Sequence, residues 1–253
     1  MQINVPCGQK GGIAMNVYGQ THIGLVRETN QDALEYGTLS ETTQYAVVCD
    51  GMGGANGGNI ASKIAVEVIG SRIRDGYRES SSAEYLLTSA MATANAGVFD
   101  RAQREEALSG MGTTVVAAIT CEHTAYISHV GDSRLYLYRD GVLSQVTRDH
   151  SVVQELIESG QITEEEARSH PRKNYITRAI GVVSEEYGEY DEIALQAGDR
   201  LLLCTDGLTN EVSPALMAQH LALPAEEAVQ TLIRAALDDG GSDNITVALM
   251  DID

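Results

Sequence analysis

Aspartate recurs at or just beyond the end of one apolar run after another. Asp50 follows Tyr-Ala-Val-Val-Cys, Asp132 follows Ala-Tyr-Ile-Ser-His-Val-Gly, Asp206 follows Leu-Leu-Leu-Cys-Thr, and Asp243 stands just before Asn-Ile-Thr-Val-Ala-Leu-Met. Taken singly, such a residue is most often a turn former or helix cap, because aspartate is a poor strand residue. Four of them carry a further implication. If they converge, their repulsion is relieved best by divalent cations, and an all-oxygen donor set suits magnesium or manganese. Asp50-Gly51-Met52-Gly53-Gly54, followed by Gly57-Gly58, keeps the backbone bare where a carbonyl or phosphate must approach, although Gly-rich loops also serve as plain turns. Arg27 precedes a further carboxylate, Asp32, by five residues. A guanidinium can grip a phosphoryl group with two parallel hydrogen bonds, or simply form a surface ion pair.

These side chains need elements to position them. Period-two or short continuous apolar runs predict strands near Asn16–Ile23, Gln44–Cys49, Thr113–Cys121, Thr124–Val130, Arg134–Arg139, Val142–Val146, Glu192–Leu195, Arg200–Cys204 and Ile245–Ile252. Asp140-Gly141 predicts a tight hairpin turn. Helical spacing covers Gly58–Arg74 and Ser82–Arg104, the latter behind a capping box Ser81-x-x-Glu84, and Pro224–Asp238 opens with proline in its first turn. Strands in runs rather than in alternation with helices favour a layered α+β sandwich with outer helices over a doubly wound parallel sheet. Between Asp149 and Gly181 the pattern becomes short polar helical pieces, with a second box at Thr163-x-x-Glu166, and reads as an inserted lid.

Composition narrows the classes. The 253 residues are 43% hydrophobic with only four prolines, enough to bury a full core. A formal net charge of -19 repels a phosphate backbone, so nucleic acid is not expected as a partner. No apolar stretch approaches bilayer length and the first residues lack an apolar core behind a basic start, so a soluble cytoplasmic protein with no membrane contact is expected. Cys7, Cys49, Cys121 and Cys204 form no C-x-x-C pair, which favours reduced core thiols over a zinc site. No linker interrupts the chain. A flexible lead-in over residues 1–15 and a single domain over 16–253 follow.

The ordered series Arg-Glu-Thr-Asn-Gln-Asp (27–32), Asp-Gly-Met-Gly-Gly (50–54), Gly-Met-Gly-Thr-Thr (110–114), Val-Gly-Asp-Ser-Arg (130–134), Thr-Asp-Gly-Leu-Thr (205–209) and Gly-Ser-Asp-Asn-Ile-Thr (241–246) closely resembles the metal-dependent protein serine/threonine phosphatases of type 2C, in their compact bacterial branch. The resemblance runs from about Val17 to the C-terminus. It implies a four-layer sandwich, two antiparallel sheets face to face with helices on both outer faces, an inserted flap over about 149–181, and a metal cluster at one end. It also implies a hydrolase of phosphoserine and phosphothreonine in proteins, a signalling enzyme working by a two-metal-activated bridging water without a phosphoenzyme. Two manganese or magnesium ions would be tightly bound and a third more weakly.

By the resemblance, Asp50 would bridge two metals, the Gly51 carbonyl would bind the second, and Asp206 and Asp243 would complete the first. Asp32 would act through a metal-bound water, Asp132 with Asp206 would hold the third metal, and Arg27 would hold the substrate phosphate. Substrates would be phosphoproteins made by a serine/threonine kinase, met by a monomeric enzyme. Met52 and Ala55 stand where relatives carry a histidine credited with protonating the leaving oxygen. His22, His129, His150 and His170 read as structural, leaving a metal-bound water as a proton donor. The rival from another class is an inactive relative that binds phosphoproteins as a scaffold or sensor; loss of ligand aspartates would mark it, and none is lost. A phosphoacceptor receiver would need alternating β-α units, and a calcium-binding module a D-x-D-x-D-G loop; neither is present.

Overall fold

The computed structural model describes residues 15–77 and 82–252. Its strands are β1 (Met15–His22), β2 (Asp32–Ser40), β3 (Thr43–Met52), β4 (Gly112–Thr113), β5 (Val115–Cys121), β6 (Thr124–Val130), β7 (Arg134–Arg139), β8 (Val142–Gln145), β9 (Glu189–Ala194), β10 (Arg200–Cys204) and β11 (Ile245–Ile252). The helices are α1 (Gly54–Gly76), α2 (Ala83–Arg104), α3 (Val152–Glu158), α4 (Glu164–Arg168), α5 (Asp206–Thr209), α6 (Pro214–His220) and α7 (Ala225–Asp238). Five strands form one antiparallel sheet in the order β1-β11-β10-β7-β8. The second runs β2-β3-β5-β6-β9, with the short β4 paired to β3.

The apolar runs are continuous because both faces of the central strands are covered. On β3, Tyr45, Val47 and Cys49 face α1 and α2, while Ala46 and Val48 face the opposite sheet. On β10, Leu202 and Cys204 pack toward α6 and α7, and Leu201 and Leu203 fill the space between the sheets. Alternation of side chains across a strand thus feeds two apolar layers from one segment, and the two sheets together make three. Each fully buried large side chain contributes about 1.5–3 kcal/mol. The expected four-layer α+β sandwich is the observed fold.

Local chemistry sets the ends. Asp140 (φ 51°) and Gly141 (φ 81°) make the expected hairpin between β7 and β8. The box at α4 is complete, with the Thr163 hydroxyl accepting from the Glu166 amide and the Glu166 carboxylate accepting from the Thr163 amide. Ser82, rather than Ser81, caps α2, its hydroxyl accepting from the Tyr85 amide; Ser81 lies outside the described residues. Pro224 stands at the N-cap of α7, one residue before its first turn.

Two strand expectations need correction. β2 was not expected: Asp32–Ser40 has both faces half covered at a sheet edge, so its pattern lacks clean alternation. β9 begins at Glu189 rather than Glu192, because its first residues are polar edge positions. The lead-in expected over 1–15 lies, up to residue 14, outside the described residues, as does Cys7; Cys49 and Cys204 are buried free thiols and Cys121 is half-buried. Among the described residues no helix is long and apolar enough to cross a membrane.

Leu203, fully buried between the sheets, tests the central layer. Leu203→Ala is expected to lower unfolding free energy by about 2–5 kcal/mol, read as a fall in the urea midpoint at unchanged m-value.

Candidate metal centre

Register brings the first two carboxylates together. Asp32, the first residue of β2, is directly opposite Asp50 near the end of β3. Residues opposite one another on antiparallel strands point to the same face with their Cβ atoms about 5 Å apart, an unfavourable arrangement for like charges. The other sheet supplies Asp206, just past the end of β10, and Asp243, just before β11, two strands that pair directly. Asp132 follows β6 through Gly131, whose φ of 103° needs glycine's freedom.

Asp50, Asp132, Asp206 and Asp243 line one cavity of about 610 Å³ at this end of the sandwich, together with Arg27, Gly51 and Met52. Asp32 stands behind this lining, its Oδ2 accepting from Thr205 Oγ1 at 2.9 Å and Thr246 Oγ1 at 2.6 Å. Asp32 Oδ1 and Asp206 Oδ1 are buried without a hydrogen-bond partner. Burial first, and repulsion from the neighbouring aspartates second, push the Asp50 carboxyl well up from its ordinary range. Burial likewise raises Asp206, and raises Asp132 and Asp32 to about 7, in Asp32 against the two threonine hydroxyls.

Hydrogen bonds hold this arrangement in place. The Asp50 amide donates to Thr114 Oγ1 at 3.0 Å, and its carbonyl accepts from Thr113 Oγ1 and the Thr114 amide, both at 2.8 Å. Gly51 sits so close to the backbone of α1 that an added Cβ would lie 2.0 Å from the Gly58 carbonyl oxygen. Arg27, half-exposed, donates to Asp243 Oδ2 at 2.7 Å. Its loop is fastened by the buried Asn244, whose Nδ2 donates to the Ile23 and Thr29 carbonyls while its Oδ1 accepts from the Gln31 amide. From the flap, Asn174 and Ile176 reach the lining.

All seven residues singled out by type and spacing therefore lie at one end of the molecule, six around the cavity and Asp32 behind it. What those types did not reveal is the supporting set: Thr113, Thr114, Thr205, Asn244 and Thr246. Their signal was their place inside the same series of short motifs, Thr205, Asn244 and Thr246 in those that carry Asp206 and Asp243. His22, His129, His150 and His170 do not line the cavity; His22 Nδ1 accepts from the Gly24 amide, and His170 Nδ1 from the Arg172 amide. Arg172 and Lys173 are exposed on the flap, outside the lining.

Ordinary carboxyls titrate near pH 4, so between about pH 4 and 7 the metal-free fold binds more protons at Asp32 and Asp132 than the unfolded chain does. Stability from these groups is complete below the unfolded value and lost as pH rises through about 7. In chelator, the melting temperature is expected to fall between about pH 5 and 8, and to fall less in Asp32→Asn, as scanning calorimetry of both proteins will show.

The family model described as "Protein phosphatase 2C" matches residues 18–246. The chain is 37% identical to "Serine/threonine phosphatase stp" of Listeria monocytogenes over 247 residues, covering 94% of this chain and 96% of that one. Its fold superposes on serine/threonine phosphatase Stp1 from Staphylococcus aureus with a TM-score of 0.88 at 32% identity, covering 97% of this chain and 99% of the other. It also matches the catalytic domain of serine threonine protein phosphatase PstP, a structure in complex with two manganese ions, with a TM-score of 0.85 at 33% identity and coverage of 95% and 99%. Matched over nearly its whole described length in sequence and in fold, the chain belongs to the protein phosphatase 2C family.

Proposed function

We propose that this protein is a metal-dependent serine/threonine phosphatase that hydrolyses phosphoserine and phosphothreonine in other proteins, with residues 16–253 forming one phosphatase domain. Asp50, the Gly51 carbonyl, Asp206 and Asp243 would hold two manganese or magnesium ions, Asp32 would act through a coordinated water, and Asp132 with Asp206 would hold a weaker third ion. The observation that carries this reading is the crowding of five aspartates at one end, two of them with buried, unpartnered oxygens. Carboxyls pushed up by burial and mutual repulsion recover their charged form when a hard cation joins them, and the donor set is entirely oxygen. The cation pair described for PstP supports the count of two tightly bound ions.

Divalent cations bound there supply charge neutralisation and a water acidic enough to act as nucleophile near neutral pH. The chain's own groups do the rest. Arg27, held beside Asp243 on the cavity wall, grips the phosphoryl oxygens and orients the scissile bond. Asp32, clamped by Thr205 and Thr246 through Oδ2, keeps its buried Oδ1 without a hydrogen-bond partner. Met52 on the wall carries no proton to give, so it plays no acid role. A covalent cysteinyl route is disfavoured: burial pushes the Cys49 thiol well up and Cys204 to about 12, and neither lines the cavity. Asn174 and Ile176 lie where the protein around the phosphoresidue would pass, which gives the flap a part in substrate choice. The reading extends to a monomeric cytoplasmic enzyme acting on targets of a serine/threonine kinase; its buried free thiols fit a reducing compartment.

Phosphate release from phosphoserine and phosphothreonine peptides tests the reading. Activity should require added manganese or magnesium and vanish in chelator, and Asp50→Asn should lower kcat at least about a thousandfold. Activity that persists in chelator would refute the metal-based reaction. Arg27→Ala should chiefly raise KM, since it grips phosphate in ground and transition states alike, and steady-state kinetics on the same peptides separates that from a kcat defect.

A further inference from the structure

A second polar cluster lies off the cavity, where the flap joins the sandwich. His129, near the end of β6, and His150, just before α3, are 6% and 5% exposed and stack with ring centroids 4.9 Å apart at an interplanar angle of 13°. His129 Nε2 donates to the Arg148 carbonyl at 2.8 Å. His150 closes a two-way pair with Gly131: its amide donates to the Gly131 carbonyl at 2.9 Å, and its Nδ1 accepts from the Gly131 amide at 3.1 Å. Gly131 is the residue before Asp132, so both peptide groups flanking its Cα answer to one imidazole-bearing residue.

The donor at Gly131 makes Nδ1 an acceptor, which assigns the ring proton to Nε2, 3.0 Å from Glu189 Oε1; Arg178 Nη1, 3.1 Å from the same nitrogen, is a second donor facing it. Glu189 also accepts from Arg178 Nη1 at 2.8 Å, and Arg178 Nη2 donates to Glu186 Oε1 at 2.7 Å. Burial, and Arg178 beside the ring, lower the pKa of His150, which keeps this neutral form. The backbone of His150 also pairs with the flap's exit, its carbonyl accepting from the Thr177 amide at 2.8 Å, one residue beyond Ile176 on the cavity wall. Ligand atoms of His129, His150 and Glu189 lie within 4.8 Å of one another, yet the Arg178 guanidinium already supplies the positive charge there.

We infer that His150 is a positioning residue for Asp132: its amide holds the Gly131–Asp132 peptide, its Nδ1 holds the Val130–Gly131 peptide just before it, and its Nε2 ties this turn to Glu189 on β9 and so to Arg178 at the flap's exit. The inference rests on the reading that Asp132 holds the weaker cation. Residues that orient a ligand from behind are typically worth about ten- to a hundredfold in metal affinity.

Two variants separate the ends of the ring. His150→Asn keeps an acceptor near the Nδ1 position and loses the reach to Glu189; His150→Gln keeps a donor near the Nε2 position and loses the acceptor for Gly131. Binding of manganese alone is counted by the electron paramagnetic resonance of the free ion, with thermal melts confirming that each variant folds. His150→Gln should weaken the weak site about tenfold or more, leaving the tight pair unchanged, and His150→Asn should hold it within about threefold. Equal loss in both variants would mean that only packing matters, and an unchanged weak site in His150→Gln would also overturn the inference. Asp132→Ala is the separate arm. If it abolishes the weak site while His150→Gln spares it, the inference alone fails; if it spares the site, the ligand reading fails and takes the inference with it.

Discussion

Repulsion among five aspartates gathered at one end of the sandwich is the constraint around which the rest is arranged. Asp32 and Asp50 face each other across a β ladder, Asp206 and Asp243 stand just beyond the ends of the paired strands β10 and β11 in the other sheet, and Asp132 comes from a turn beyond β6. Burial, with the neighbouring charges added to it, raises the carboxyl pKa values of Asp32, Asp50, Asp132 and Asp206 above their ordinary range. A fold that keeps such a cluster must oppose its tendency to spread. Here the opposition is mechanical: threonine hydroxyls on Asp32, a threonine clamp on the Asp50 peptide, and Asn244 beside Asp243. A divalent cation converts the same cluster from a source of strain into a binding site, which links metal loading to folding stability.

The four layers make that opposition effective. Three separate apolar layers lie above, between and below the sheets, so the strand ends cannot shift without opening a packed interior. Close backbone approaches reinforce them. Gly51 against Gly58 admits no side chain, and the peptide it carries is held between α1 and β4 as well as by its own strand. The active end therefore sits on rigid elements, with the Arg27 loop and the flap closing its sides.

The flap is bound to that rigid end at its base. Arg134, at the start of β7, grips Asp149 with two parallel hydrogen bonds, and His150 follows immediately with its Gly131 pair. Arg178 anchors the exit through Glu186 and Glu189. Between these anchors α3 and α4 carry few buried side chains, so the segment has little packing of its own to hold one position.

Much of this was legible in the chain itself. The apolar runs predicted β6, β7, β10 and β11 with the observed bounds, because their alternation and turn residues are local signals that the final packing reinforces. The aspartates announced themselves through their recurrence at the ends of apolar runs, Arg27 through its place before Asp32, and all of them through the order of six short motifs. β2 did not, since a half-covered edge strand has no clean period, and with it the face-to-face register of Asp32 and Asp50 was hidden. Nor could spacing show that Thr205 and Thr246 both turn on Asp32, that Asn244 fastens the Arg27 loop, or that two histidines stack behind Asp132. Sequence determined which groups are available and which local backbone each prefers. Only tertiary structure decided which of them share a few ångströms, because contacts between residues up to about two hundred positions apart depend on strand register and layer packing, to which the whole chain contributes.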